Sequence, residues 1–256
     1  MVLINSVDEA SGAGDGAAVR SMLEQRPDGL IVLSLRSSES DRIIAKAIRS
    51  GMPIVLVGRR LPGPGVRSIS ACYRHGGRLL TEHLVGLGHR RIGFIGAPLE
   101  HASRVDRLAG FLQAMALRGL AVRPEWVVGE VGSGGTQMYP GYEFGYRSAS
   151  PLLAGVEVPT ALLARNDVVA LGLIQGLRDS GAVVPRDVSV VGFGNALAGR
   201  SSCPALTTIE IPSELEGQRA VSLLLEAGGE SRPQDGQREL ESELRLLVRG
   251  SCGPGC

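Results

Sequence analysis

Short apolar runs recur along the chain, each bounded by glycine, proline or small polar residues. Most are followed by a longer stretch whose apolar residues fall at helical spacing. Leu30–Leu33 follows Pro27-Asp28-Gly29, and Ile54–Val57 follows Gly51 and Pro53. Arg91–Gly96, Trp126–Val128, Thr160–Ala164, Val188–Val191 and Leu244–Val248 continue the series. Runs without polar alternation are the mark of strands covered on both faces, as in a parallel sheet. Between them, Ser40–Ser50 places Ile43, Ile44, Ala47 and Ile48 on one stripe. His75–Leu87 does the same with Leu79, Leu80, His83 and Leu84, and Val105–Arg118 with Leu108, Phe111, Leu112 and Met115. Gly51, Gly88, Gly119 and Gly181 stand where helices end. Asn166 and Asp167 are placed to cap a helix running to Ser180, Ser213–Ala227 is a last helix, and Pro151 predicts an end or kink within Glu143–Ala154. Strands alternating with helices fold as a mostly parallel sheet with helices on both faces. The βα units before and after Gly96 are about equal in number, which predicts two Rossmann-like lobes.

Charge excludes some partners. Charged residues make up 21% of the chain and the formal net charge is +1. No basic stripe is visible, so the chain itself is not built to grip a phosphate backbone. No apolar run is long enough to span a bilayer. Met1-Val2-Leu3-Ile4-Asn5 lacks the basic flank and cleavage site of a secretory signal, which points to the cytoplasm and to reduced thiols. Cys252-Gly253-Pro254-Gly255-Cys256 reads as a frayed glycine-rich tail with incidental thiols.

No catalytic constellation stands out. His75, His83, His89 and His101 lack paired ligand spacing, so no metal site is expected. His83 falls on an apolar stripe and reads as a packed histidine; His89, at a helix end, reads as a complement to the dipole. Gly192-Phe193-Gly194 lacks the third glycine of a dinucleotide fingerprint, and no phosphate loop or nucleophile elbow occurs. No cofactor and no enzymatic activity are expected.

Open α/β sheets bind ligands beyond the C-terminal ends of their strands. Ser103 and Arg107 follow the strand ending at Gly96. Asn166 and Asp167 follow Ala164. Gly192-Phe193-Gly194-Asn195 follows Val191. An arginine fork and an asparagine amide suit a neutral polyol or a carboxylate-bearing ligand. The plainer readings are that Asn166 is only a helix cap and Arg107 only a surface charge.

Several strings together resemble the lactose/galactose-repressor (LacI/GalR) type of transcriptional regulator. His83-Leu84-Val85-Gly86-Leu87-Gly88-His89-Arg90-Arg91-Ile92-Gly93-Phe94-Ile95-Gly96 resembles that family's HLxxLGHRRIAFIGG segment, and Arg107–Phe111 its RLAGF. Pro159-Thr160-Ala161 leading to Asn166–Gly172 resembles PTAxxxxNDxxALG. Val184–Phe193 resembles VPxDVSVVGF, Pro204–Ile209 resembles PPLTTV, and Leu247–Ser251 resembles the terminal LVVRGS. The resemblance implies a periplasmic-binding-protein-like (type I) pair of lobes closing on a small, sugar-like effector. It also implies a homodimer, and operator DNA held only through a helix-turn-helix head that this chain does not carry. The first lobe, 1–97 plus 212–240, is expected to lack its opening strand and helix, with Met1–Ile4 as its second strand. The second lobe is 98–211 plus 241–256. Crossings are expected near Gly96-Ala97-Pro98, Ile211-Pro212 and Arg238–Ser242.

The resemblance makes Ser103, Arg107, Asn166, Phe193, Asn195 and Tyr73 the candidate ligand contacts. Two positions depart from the pattern. Gly194 stands where the family commonly has a sugar-binding acid, and Cys72-Tyr73 where it often has Asp-Asn. The glycine-rich stretch Gly132–Gly141 reads as an inserted loop, with Tyr139 or Tyr142 as an aromatic that could reach the ligand. A transporter's solute-binding protein shares the implied fold and is the alternative; an enzyme on a Rossmann-like scaffold is a third reading that no catalytic set supports.

Overall fold

The computed structural model describes residues 15–33, 38–59, 61–97, 102–129, 141–228 and 238–255. Met1–Ile4, Tyr139, His101, Cys256, the loop expected at Gly132–Gly141 except Gly141, and most of the polar stretch 228–237 lie outside them. The chain forms two compact units, Met1–Ala71 with Pro212–Ser242, and Cys72–Ile211 with Glu243–Cys256.

The first unit contains α1 (Asp15–Glu24), β1 (Leu30–Leu33), α2 (Ser38–Arg49), β2 (Ile54–Val57), β3 (Arg67–Ala71), α8 (Ser213–Gly228) and β9 (Arg238–Ser242). Its sheet runs β1-β2-β3-β9, and every pairing is parallel. Successive strand residues face opposite sides. Leu30, Val32, Ile54 and Leu56 therefore join Val19 and Ile44 on one face, while Val55, Val57 and Ile69 meet Ala220 and Leu223 on the other. In α2, Glu39 and Asp41 open the helix while Lys46 and Arg49 close it, which complements the macrodipole.

The second unit holds α3 (Tyr73–Gly86), β4 (Ile92–Ala97), α4 (Ala102–Leu117), β5 (Val127–Gly129) behind a 3-10 turn at Pro124–Trp126, and α5 (Gly141–Leu153). It continues with β6 (Ala161–Ala164), α6 (Asp167–Asp179), β7 (Ser189–Phe193), α7 (Leu197–Arg200), β8 (Thr207–Glu210) and β10 (Arg245–Leu247). The sheet order is β10-β8-β7-β6-β4-β5, parallel except for β10, which runs antiparallel to β8. The fold class expected from the strand and helix alternation is the one found. Pro151 lies in the last turn of α5, which continues only to Leu153.

Residues 72–97 differ from the expected division. They were assigned to the first lobe, yet β4 pairs with β5 and β6 of the larger sheet. The chain leaves the first unit after β3, a strand that the apolar pattern does not reveal. Two helix pairs lock the second unit. A Cβ on Gly77 of α3 would lie 2.2 Å from the Arg107 carbonyl of α4, and one on Gly110 would lie 2.0 Å from the Arg74 carbonyl. Only glycine permits this approach. α5 and α6 cross in the same way through Gly145 and Gly172.

The C-terminal segment is a second correction: as far as Gly255 it is docked rather than frayed. Val190 N–H donates to the Ser251 carbonyl (2.8 Å), and Gly255 N–H to the Leu87 carbonyl (2.8 Å). The Ser251 hydroxyl donates to the Val190 carbonyl at 2.6 Å and accepts from Thr207 N–H at 2.8 Å. His89, 2% exposed, joins this strap to the sheet. Its Nε2 lies 3.0 Å from the Gly253 carbonyl, which fixes the proton on Nε2, so Nδ1 accepts from the Thr160 hydroxyl at 2.9 Å. Burial holds its pKa below the ordinary 6.5, with His83 adding to the effect and the Gly253 hydrogen bond opposing it. The ring is therefore a neutral clamp, and it brings no cation to the helix dipole. His83 is half-buried and places Nε2 3.2 Å from Cys252 Sγ. Among the described residues, no helix is long and apolar enough to cross a membrane.

A histidine held neutral in the fold takes up its proton more readily when unfolded. Its contribution is whole above the unfolded pKa and is lost as pH falls below it. Unfolding free energy should decline between about pH 7.5 and about pH 5.5, by at most about 1.4 kcal/mol per pH unit per histidine. Urea denaturation of His89→Gln should give a lower stability and a shallower pH slope; an unchanged slope would remove His89 from this role.

Candidate functional site

Register brings the strand ends of the second unit together. Ile95 pairs with Ala164, Leu163 with Val191, and Phe193 with Ile209. The residues that follow β6 and β7 therefore emerge side by side, where α3, α4 and α6 begin.

Arg107 occupies the centre. Its guanidinium carbon lies 4.2 Å from the centre of the Phe193 ring and 4.7 Å from that of Tyr73. The two rings are 6.0 Å apart and tilted by 42°. Each contact of this kind is worth roughly 0.5–2 kcal/mol, more when desolvated. Nη1 donates to the Arg165 carbonyl at 2.6 Å. Nε is buried and makes no hydrogen bond. Burial lowers the pKa to about 10; Arg104 and Arg165 push the same way, while Tyr73 and Asp167 oppose them. At neutral pH the group stays charged, and Asp167, the acid that acts on it, has both oxygens engaged by Ala196 and Thr208. The surface-charge reading of Arg107 is set aside by this packing.

The other expected residues divide. Tyr73, at the start of α3, and Phe193, the last residue of β7, supply the aromatic surfaces under Arg107. Phe193 is tightly seated, since a Cβ on Gly76 would lie 2.6 Å from its ring. Ser103 stands one turn before Arg107 in α4, on the same face of the helix. Asn166 caps α6: its Oδ1 accepts from Val169 N–H at 2.9 Å. Asn195 is drawn away from the cluster. Its Nδ2 donates to Glu210 at 2.6 Å, and its Oδ1 accepts from Arg249 at 2.7 Å and Arg200 at 3.1 Å. The amide is consumed in holding β8 and the strap. Tyr142 is 44% exposed on α5.

Arg165 escaped the sequence reading of the site, and Asp167 entered it only by its place after β6. Asp167, 2% exposed, ties the loop after β7 to α6. Its Oδ2 accepts from Ala196 N–H at 2.5 Å and its Oδ1 from the Thr208 hydroxyl at 2.6 Å. Burial raises its pKa, against these hydrogen bonds and Arg249. A Cβ on Gly192 would lie 2.3 Å from Oδ1, so that glycine makes room for the carboxylate. Arg165, 5% exposed, directly precedes the cap. Its guanidinium carbon is 5.5 Å from the Phe144 ring centre, and Gly96, at φ +125°, leaves space for its side chain. The only available signal was position: a charged residue between a buried strand and an N-cap has nowhere to go but the strand-end surface. Gly194, where the resembled family commonly has an acid, has φ +130°, which a side chain adopts only with strain.

Residues 81–252 match the family described as a periplasmic binding protein-like domain. The HTH-type transcriptional repressor PurR of Pasteurella multocida (strain Pm70) is 32% identical over 226 residues, which is 87% of this chain and 64% of that relative. The chain thus spans a little under two thirds of the curated relative's length. A LacI-type transcriptional regulator from Bacillus cereus subsp. cytotoxis NVH 391-98 superposes with a TM-score of 0.82 at 27% identity, covering 94% of this chain and 82% of that one. The transcriptional regulator CelR, solved in complex with cellobiose, gives 0.78 at 29% identity over 91% of this chain and 68% of that one. Two α/β units, each on its own sheet, are the architecture of a periplasmic-binding-protein-like domain. The chain belongs to the LacI/GalR family of transcriptional regulators, and what it spans is that family's effector-binding region.

The capping role of Asn166 is tested by substitution. Asn166→Ala should lose about 1 kcal/mol in urea denaturation, while Asn166→Ser, which still caps, should stay within a few tenths. Equal losses would argue against the cap.

Proposed function

We propose that the second unit receives a small, sugar-like effector at the strand-end cluster, with Arg107 as its principal contact and Ser103 and Asn166 beside it. The observation that carries this reading is the Arg107 guanidinium. It is charged, seated on two aromatic rings, and has a buried Nε without a hydrogen-bond partner. A buried donor left unmade costs about 1–3 kcal/mol, which a ligand acceptor would recover. Tyr73 and Phe193 act mainly by orienting the fork, and Asn195 by holding the loop beneath it.

In the complete protein the domain would act as a homodimer, and effector occupancy would alter operator binding through a helix-turn-helix head outside this chain. Relatives named as HTH-type repressors support this reading over a transporter's solute-binding protein, and the cellobiose complex of CelR supports a sugar-like ligand. In this reading the chain performs no catalysis.

A thermal-shift screen of sugars and related metabolites tests the proposal. At least one compound should raise the melting temperature in a saturable way, and Arg107→Ala should abolish that rise because the fork is gone. An undiminished shift in Arg107→Ala would remove this cluster as the effector site.

A further inference from the structure

The chain passes between its two units three times, after Ala71, after Ile211 and after Ser242. On the second-unit side, residues beside each crossing meet the end of β7. Tyr73 follows the first crossing, and its ring lies 6.0 Å from that of Phe193. Glu210, the last residue of β8, stands just before the second, and its Oε1 accepts from Asn195 Nδ2 at 2.6 Å. Leu244 follows the third and shares the space over Gly76 with Phe193. A Cβ on that glycine would lie 2.7 Å from Leu244 Cδ1 and 2.6 Å from the Phe193 ring. Arg245, the next residue, is paired with Glu210 in register and donates to its Oε2 from Nε at 3.1 Å and from Nη2 at 2.7 Å. Three consecutive residues, Phe193-Gly194-Asn195, therefore reach all three crossings, directly or through Glu210.

The same three residues carry two left-handed positions in a row, Gly194 at φ +130° and Asn195 at φ +57°. Asparagine tolerates that region better than most residues, but such a backbone persists only where its surroundings hold it. Gly194 N–H donates to the Ile209 carbonyl at 2.7 Å, and Asp167 ties Ala196 to Thr208 of β8. At the other end of the turn the Arg107 guanidinium carbon lies 4.2 Å from the Phe193 ring centre. The turn thus bears on the strand-end cluster at one end and on β8 and β10 at the other. Its two joints at Glu210 differ in strength. Asn195 is 8% exposed, so its bond is sheltered. The Arg245 side chain is 72% exposed, where an ion pair is screened and holds weakly. On the reading of the strand-end cluster as the effector site, we infer that Phe193-Gly194-Asn195 is a relay. It passes a change at Arg107 to the crossings, and Glu210 is the positioning residue that carries it from β8 to β10.

Hydrogen exchange of the ligand-free chain, followed by mass spectrometry, tests the relay. Asn195→Gly removes the amide and keeps the left-handed backbone accessible. It should speed exchange by at least about fivefold both in 194–197 and in 243–247, which Asn195 reaches through Glu210. Glu210→Ala should loosen the same two segments. Glu210→Gln, which keeps an oxygen for Asn195 but loses the charge, should loosen 243–247 alone. Arg107→Ala should loosen both, because the relay begins under its fork. Combining Asn195→Gly with Glu210→Ala should add little to either, as expected of one coupled path. Arg249→Gln, which cuts another bond of Asn195 to the C-terminal segment, should leave 243–247 as in the parent. Loosening confined to 194–197 in Asn195→Gly, or reproduced in 243–247 by Arg249→Gln, would overturn the relay. So would parent-like exchange in Arg107→Ala, or a rise that takes in β6 and α6 as well. If Asn195→Gly does not fold, Glu210→Ala decides, since it must loosen both segments and leave β6 and α6 unchanged. These readouts need no ligand, so failure of the effector site in the thermal-shift screen is told apart from failure of the relay.

Discussion

A guanidinium held over two aromatic rings organises the end of the second unit. Arg107 reaches Tyr73 of α3 and Phe193 of β7 at once, so one side chain relates a helix and a strand that are remote in sequence. That placement depends on the spacing of α3 and α4, which Gly77 and Gly110 set by letting each helix touch the other's backbone. Any larger residue at either glycine would push the helices apart and move the fork off its rings. The cation is also confined by its own hydrogen bond to the Arg165 carbonyl. Fewer orientations are left open to the fork, which has already lost most of its freedom.

The rest of the unit reads as support for that end. Asp167 fastens the turn after β7, and Asn195, at φ +57°, directs its amide to Glu210, Arg200 and Arg249. At the opposite ends of the strands, the segment 249–255 is stitched across the starts of β7 and β8 by Ser251, and to the end of α3 by His89 and Gly255. Both ends of the strands are thereby fixed, one by a charge network and the other by a backbone strap, while the middle is apolar core.

Much of the scaffold was legible because its strands are apolar runs: Ile54–Val57 and Ala161–Ala164 announce burial on both faces. β3 was not, because Arg67-Ser68-Ile69-Ser70-Ala71 hides two hydroxyls in the interior. The crossing expected by resemblance near Gly96-Ala97-Pro98 falls instead after Ala71, one βα unit earlier. The glycines of the tail suggested fraying, yet Gly255 is there because its backbone passes against Gly88 and His89 with no room for a Cβ. Arg107, Ser103 and Asn166 could be placed by resemblance and by their position after strands. What Arg107 rests on could not, since that depends on three elements meeting in space. Asn195 shows the converse: a strand-end amide looks the same in sequence whether it faces a ligand or a neighbouring arginine.

The central claim is that Arg107 is a partly buried, charged fork, its Nε shielded from water, lying against two rings. A nitrogen-selective NMR spectrum of the arginine side chains at neutral pH tests it most directly, with Arg107→Lys used for assignment. The expected result is an Arg107 Nε–Hε signal shifted upfield by ring currents, exchanging slowly with water, and moving toward the ordinary arginine position in Phe193→Leu. An Arg107 signal that coincides with those of exposed arginines and exchanges as fast as they do would contradict the account.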